Sequence, residues 1–338
     1  MTQHLSFVTL DVFTATQYTG NPLALITVPQ DTVLSQAQKQ RIAREFNLSE
    51  SVFLHEPTQQ DRADQSVRID IFTTQAEIPF AGHPAVGTAN YVLRLLKNNN
   101  NNNNNNHNQF NDVKALQTKA GRLGITLNPA VSGVQISLAH NLHVHAAPFA
   151  DRPFGAYPVV SIVKGMTCIL ARLPDLASLA AQSANLLGAD NTYTARNALD
   201  EGWREGPVLS YFYVDMGTET GSAGSTGGEE ATIVKKRNLR TRGFFTSEDS
   251  ATGSAAGALT SYLSLQEGKP GVYRYVLTQG VEMGQKSEIF VDVKVKASEV
   301  GEDDDDNQPP RVEIDQVLLS GSAVQVMQGT LEIPSLDH

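Results

Sequence analysis

Several things are scarce in this chain, and each scarcity removes a class of explanation. Cys168 is the single cysteine among 338 residues, so no internal disulfide can form and a reducing compartment is no obstacle. No apolar run approaches the ~20 residues needed to cross a bilayer. The opening Met1-Thr2-Gln3-His4 lacks the charged-then-apolar build of a secretion signal, and a cytoplasmic chain with no membrane partner is expected. Basic residues are outnumbered, 26 Lys+Arg against 36 Asp+Glu, for a formal charge of −10. Phosphate backbones are held by basic surfaces, so nucleic acid is excluded as the expected partner. The length favours two domains, each large enough to bury its own core.

What is present centres on the run Glu77-Ile78-Pro79-Phe80-Ala81-Gly82-His83-Pro84-Ala85-Val86-Gly87-Thr88-Ala89-Asn90-Tyr91. Alternating apolar residues from Val67 to Phe72 predict a strand leading into the Gly82-His83-Pro84 corner. A helical pattern follows through Leu93, Leu95 and Leu96. Proline suits the first turn of a helix, where its missing N–H has no partner to lose. The free N–H groups and dipole of such a start make a place for a carboxylate or phosphate. A histidine at that corner can polarise or protonate the anion.

Elsewhere, Phe7 to Phe13 and Leu23 to Val28 read as strands separated by the turn Gly20-Asn21-Pro22, and Leu34 to Phe46 reads as a helix. Glu50 falls in the short polar joint between that helix and a strand beginning at Val52. Strands are also predicted at Leu123–Leu127, Val134–Leu138, Val159–Val163, Thr167–Leu173, Leu209–Val214, Val272–Gln279, Glu288–Val295, Val312–Leu319 and Ala323–Ile333. A helix is predicted over Leu176–Leu187. The asparagine tract Asn98–Asn106 offers no face to pack and reads as a disordered surface insertion. Gly217–Glu230 reads as a mobile loop and Gly301–Asp306 as a solvated acidic one. Strands outnumber helices and are joined mostly by short turns, which predicts antiparallel sheets in an α+β arrangement. Strand, glycine corner and small-residue helix occur twice, Gly82-His83-Pro84-Ala85 being answered by Gly253-Ser254-Ala255-Ala256.

Five segments in order resemble the PhzF-like isomerases of phenazine biosynthesis, a family with the diaminopimelate epimerase fold. They are Asp11-Val12-Phe13 with Gly20-Asn21-Pro22-Leu23-Ala24, then Ile42 to Glu50, then Pro79 to Pro84, then Glu248-Asp249-Ser250-Ala251-Thr252-Gly253-Ser254-Ala255-Ala256-Gly257, and finally Gln279-Gly280 with Met283-Gly284. Ser250 departs from the pattern, since family members commonly carry proline there. The resemblance implies two pseudo-symmetric domains, 1–140 plus about 322–338 and 141–321. Each would be a curved, mostly antiparallel sheet around a central helix, with the active site in the cleft between them. It also implies a homodimer, no organic cofactor and no metal.

Carried over residue by residue, the resemblance implies Glu50 as the proton-moving carboxylate, with His83, Asp249 and Ser254 as companions. Gly82, Pro84, Gly253 and Ala255 would contact a small carboxylic-acid substrate. Partial burial that lifts a carboxyl pKa toward neutrality lets one group take a proton and return it. Amides at the Gly253-Ser254 helix start can steady the developing charge. Without the resemblance these residues read plainly: Ser49-Glu50 as a solvated turn, His83 as a packed or capping residue, Asp249 and Thr252 as N-cap candidates, Ser254 as one small residue in a crowded turn. Epimerases of this fold use two opposed thiols, and a chain with one cysteine away from both corners cannot. His140, His143 and His145 have spacing that could bind metal, but no neighbouring cysteine or carboxylate completes a set, and a solvated strand end is the expectation. The expected function is a cofactor-independent isomerase that shifts a proton and a double bond. The alternative is a small-anion binding or regulatory module without turnover.

Overall fold

The computed structural model describes residues 3–96, 110, 112–151, 155–188, 192, 195–219, 235–298 and 312–335. The asparagine tract, nearly all of the Gly/Ser-rich stretch and the acidic run expected as loops lie outside them. The chain divides into two units, Met1–Ser137 with Ser320–His338, and Leu138–Leu319.

In the first unit β1 (His4–Val12) pairs antiparallel with β2 (Asn21–Val28) on one side. On its other side it pairs antiparallel with β20 (Ala323–Glu332). β2 runs parallel to β3 (Ser51–His55), and β3 antiparallel to β4 (Ser66–Phe72). β4 then pairs with the two-residue β5 (Glu77–Ile78) and runs parallel to β6 (Ala115–Thr118). β7 (Gly121–Asn128) and β8 (Gly133–Ser137) complete the sheet as antiparallel neighbours.

Helix α1 (Gln36–Phe46) makes the right-length crossover from β2 to β3. It starts on a capping box, Ser35 accepting from the Gln38 amide while Gln38 bonds back to the Ser35 amide. It stops at Asn47, which takes the left-handed conformation at φ 50°. Its inner residues Ile42 and Ala43 pack with Leu5, Ile26, Phe53 and Phe72. A short helix α2 (Gln59–Ala63) precedes β4.

The sheet wraps α3 (Gly82–Asn90), in which every residue is buried. A helix buried on all sides must be apolar or internally satisfied. The Thr88 hydroxyl donates to the Pro84 carbonyl at 2.8 Å, and the Asn90 amide to the Val86 and Gly321 carbonyls at 2.9 and 3.1 Å. Gly87 lets α3 approach the sheet, since a Cβ there would lie 2.5 Å from Leu23 Cδ2 and 2.9 Å from Val12 Cγ2. Beyond Asn90 the predicted helical pattern continues as one π-helical stretch, Tyr91–Leu95.

The second unit repeats the pairing order. β9 (His143–Val144) pairs with β12 (Val159–Val163), and β12 antiparallel with β13 (Met166–Arg172). Between them β10 (Phe149–Asp151) and β11 (Gly155–Tyr157) form a separate two-stranded ribbon. β13 runs parallel to β14 (Val208–Glu219), which is antiparallel to β15 (Lys235–Phe244). β15 pairs with the two-residue β16 (Glu248–Asp249) and runs parallel to β17 (Gly271–Gln279). β18 (Ser287–Ala297) is antiparallel to β17, and β19 (Val312–Gly321) follows. Antiparallel, parallel, antiparallel, parallel, antiparallel is thus the sequence of pairings from β1 to β7 and again from β12 to β18. Cys168 sits fully buried on β13, where burial pushes its thiol pKa up.

One expected element is shorter than its pattern. The helix read over Leu176–Leu187 ends after five residues, α4 (Leu176–Ala180). The buried Arg242 guanidinium donates to the carbonyls of Leu179 and Ala180 at 3.2 and 3.0 Å and to that of Gln182, which ends the helix by occupying its last acceptors. Asn185 then fixes an irregular turn, its amide donating to the Val208 and Phe244 carbonyls. The second central helix is α5 (Gly253–Gln266), buried for most of its length.

Candidate active site

In the first unit, Asn47 halts α1 three residues before Glu50, and β3 begins one residue after it. This joint is not the solvated turn that Ser49-Glu50 suggests when read alone. The Glu50 side chain is only 19% exposed. Burial lifts its pKa to about 7 against a smaller opposing pull from the Ser49 hydroxyl. Its Oε2 lies 3.2 Å from Nδ1 of His83. His83 is buried and occupies the second position of α3.

The start of α3 has a particular property. Its N-cap is Ala81, extended at φ −149°, and no side chain caps the helix. With no capping side chain at this start, the helix dipole favours a negative group there. Gly82 brings no side chain to block that approach. Pro84 has no N–H to satisfy, as the sequence pattern requires.

In the second unit β16 leads to α5 in the same way that β5 leads to α3. Its N-cap is Thr252, again with no side-chain cap. Of the two N-cap candidates, Thr252 takes the N-cap position, but neither its side chain nor that of Asp249 bonds the first amides of the helix. Asp249 instead accepts from the Thr252 hydroxyl at 2.8 Å and from the Ala251 amide at 3.4 Å, closing the turn before the helix. Gly253, Ser254 and Ala255, all buried, supply the first-turn amides, with the Ser254 hydroxyl beside them.

The residue that sequence reasoning left without a role is Gln279, at the end of β17. It is fully buried, and its amide oxygen accepts from the Tyr211 hydroxyl at 2.9 Å and the Thr252 amide at 3.2 Å. Its amide nitrogen donates to the Asp249 carbonyl at 2.8 Å and to Thr252 Oγ1 at 3.0 Å. One side chain thus ties β14, β16 and the start of α5 together. The signal was in the dipeptide Gln279-Gly280. Gly280 turns at φ +73°, and a Cβ there would come within 2.4 Å of the Gln285 carbonyl and 2.7 Å of that of Ser250. A polar residue next to an obligatory glycine at a strand end marks a chain pressed against its neighbour.

Two units with one pairing pattern, each closing on a buried helix with a glycine-led, uncapped start, define a protein of the epimerase-like class. The solved structure of a probable proline racemase from Agrobacterium radiobacter shares this fold (TM-score 0.55, 12% identity, 98% of this chain and 94% of that one). So does a PhzF-family phenazine biosynthesis protein from Bacillus anthracis (TM-score 0.63, 17% identity, 97% and 99%). Within the class, the sequence matches the family described as phenazine biosynthesis-like protein, PhzC-PhzF, over residues 10–329, and the chain belongs to that family. Among relatives, the trans-2,3-dihydro-3-hydroxyanthranilate isomerase of Pseudomonas fluorescens is 28% identical over 96% of this chain and 99% of its own. An uncharacterised isomerase of Pasteurella multocida is 46% identical over a shorter stretch, 24% of this chain and 26% of that protein.

Proposed function

We propose that this protein is an isomerase that moves a proton, and with it a double bond, within a small unsaturated carboxylic acid, with Glu50 as the group that carries the proton. The observation that supports this most is the Glu50 carboxyl itself. A pKa near 7 populates acid and base forms about equally at neutral pH, so neither uptake nor return of a proton is steeply uphill. As carboxylate, Glu50 takes a proton from one carbon and the electron pair of that C–H bond enters a dienolate. As acid, it returns the proton to another carbon of the same π-system. The two half-steps restore Glu50, and no electrons leave the substrate.

His83, 3.2 Å from Glu50, holds the carboxyl in place and is set to meet the substrate's own carboxylate or hydroxyl. The positive end of the α3 dipole favours that anion. Asp249 and Ser254, at the start of α5, are proposed as the companion groups, Asp249 through the turn it closes and Ser254 through its hydroxyl. A thiol mechanism has no candidate, since Cys168 is buried in β13. A homodimer is part of the proposal, to be checked by sedimentation.

The test is deuterium incorporation followed by NMR in heavy water, with trans-2,3-dihydro-3-hydroxyanthranilate and a panel of small unsaturated acids. Exchange at carbon is expected for at least one acid, and Glu50→Gln should lower its rate by about 10²–10⁴-fold. Undiminished exchange in Glu50→Gln overturns the proposal. Binding of acids with no exchange at any carbon would favour the small-anion binding module instead.

A further inference from the structure

A second cluster, sharing no residue with the candidate site, lies in the Leu138–Leu319 unit. His143 lies in β9 and His145 just past its end, and Asp200 reaches them from 55 residues beyond His145. The His143 Nε2 lies 2.8 Å from Asp200 Oδ2, and His145 Nδ1 lies 3.7 Å from the same oxygen. One ligand atom from each residue falls within 4.8 Å of the others. His140, the third member of the sequence motif, is not among them and turns its Nδ1 to the Leu138 carbonyl at 3.2 Å. The sequence-based expectation of a solvated strand end therefore fails for His145, which is 5% exposed, because the missing carboxylate arrives through the fold.

The ring of His145 is held from behind. Its Nε2 lies 2.9 Å from the buried Ser161 hydroxyl, which is 2.6 Å from that of Thr167. The Asp200 amide donates to Nδ1 at 3.2 Å, so the ring proton belongs on Nε2, and a cation at Nδ1 would displace that amide from the lone pair. Ligating imidazoles commonly hand their second nitrogen to an oxygen in this manner, which fixes the tautomer. His143 is held by stacking on Trp203, centroids 4.5 Å apart and planes 8° from parallel. Its Nε2 proton, shared with Asp200, is the one a cation would replace.

We propose that His143 Nε2, His145 Nδ1 and the Asp200 carboxylate form a binding site for one divalent transition-metal ion of the Zn²⁺ type, with water in a fourth position. Two imidazoles and one carboxylate select such an ion over Mg²⁺ or Ca²⁺, which take oxygen ligands. Metal–ligand bonds of ~2.0–2.2 Å require the widest pair to close by roughly an ångström, a movement open to the partly exposed His143 and Asp200 while His145 stays fixed. Binding would release the His143 proton and cross-link β9 to the segment around Asp200.

Trp203 is the single tryptophan of the chain, so its fluorescence reports on this cluster alone. The full-length protein, stripped with chelator and dialysed against zinc at pH near neutrality, should retain one zinc per chain and melt at higher temperature. Zinc should shift Trp203 emission and copper should quench it. His143→Gln and Asp200→Asn should each weaken zinc binding by at least about tenfold, and His140→Gln should leave it unchanged. Failure to retain zinc overturns the proposal. So does parent-like affinity in the two ligand variants, or a loss in His140→Gln as large as theirs, since either would place the metal on other histidines. Solvent exchange of substrate protons plays no part in this readout, so the outcome stands apart from the proposed isomerase activity.

Discussion

The two glycine corners share a backbone and differ in what holds them. At the Gly82 corner the neighbours are ionisable, Glu50 with a pKa near 7 and His83 at 3.2 Å. At the Gly253 corner the frame is a closed set of amides and hydroxyls, with Gln279 at its centre and Asp249 spent on the turn. The repeat has kept the strand-to-helix geometry in both units. It has placed adjustable charge in one and rigid hydrogen bonding in the other. A proton carrier needs a pKa that responds to its surroundings, whereas a donor set for an anion needs positions that do not move.

The contrast can be broken most directly at Gln279. Gln279→Leu removes the side-chain partner of the Thr252 amide and the Asp249 carbonyl and leaves the Tyr211 hydroxyl only Thr241, and should cost about 2–4 kcal/mol in denaturant unfolding. A variant as stable as the parent would show that the second corner is not fixed by this side chain.

A somewhat smaller effect, with the opposite sign, is expected at Glu50. Its carboxyl binds a proton more tightly folded than unfolded, so stability falls as pH rises from about 4.5 through about 7, and the full cost is present above that. Glu50→Gln should therefore stabilise the protein by about 1–3 kcal/mol at pH 8 and by nothing at pH 4. A gain that does not vary with pH would deny that the first corner is electrostatically strained.

The smallest effects sharpen the comparison of the two central helices. Gly87→Ala drives a Cβ against both Leu23 and Val12 and should cost about 1–2 kcal/mol. Gly257→Ala meets a single side-chain end, Leu138 Cδ1 at 2.8 Å, and should cost less than about 1 kcal/mol. Equal thermal shifts for the two would mean that α5 is packed as tightly as α3.

Much of this was legible in the linear sequence. The corners announced themselves through Gly82-His83-Pro84 and Gly253-Ser254, because a glycine before a small-residue helix reflects a local backbone requirement. Glu50 was legible as a polar joint, and its burial against His83, 33 residues further on, was not. Gln279 and Asp200 were opaque for the same reason. Their partners lie 27 to 68 and 55 to 57 residues away, respectively, and no spacing rule connects them. The overlong Leu176–Leu187 helix was misread because its terminator, Arg242, lies about 60 residues downstream. Periodicity says where a helix can continue, and only tertiary contacts say where its carbonyls find another donor.

The pairing of β1 with β20, from His4 opposite Glu332 to Val12 opposite Ala323, has a consequence for biosynthesis. The Met1–Ser137 segment lacks one strand until β20 has been made, whereas the Leu138–Leu319 unit is continuous and is complete sooner. The later-made half can therefore mature ahead of the earlier one, inverting the usual vectorial order, and the leading segment must wait with an unzipped edge exposed to the cell's holding machinery.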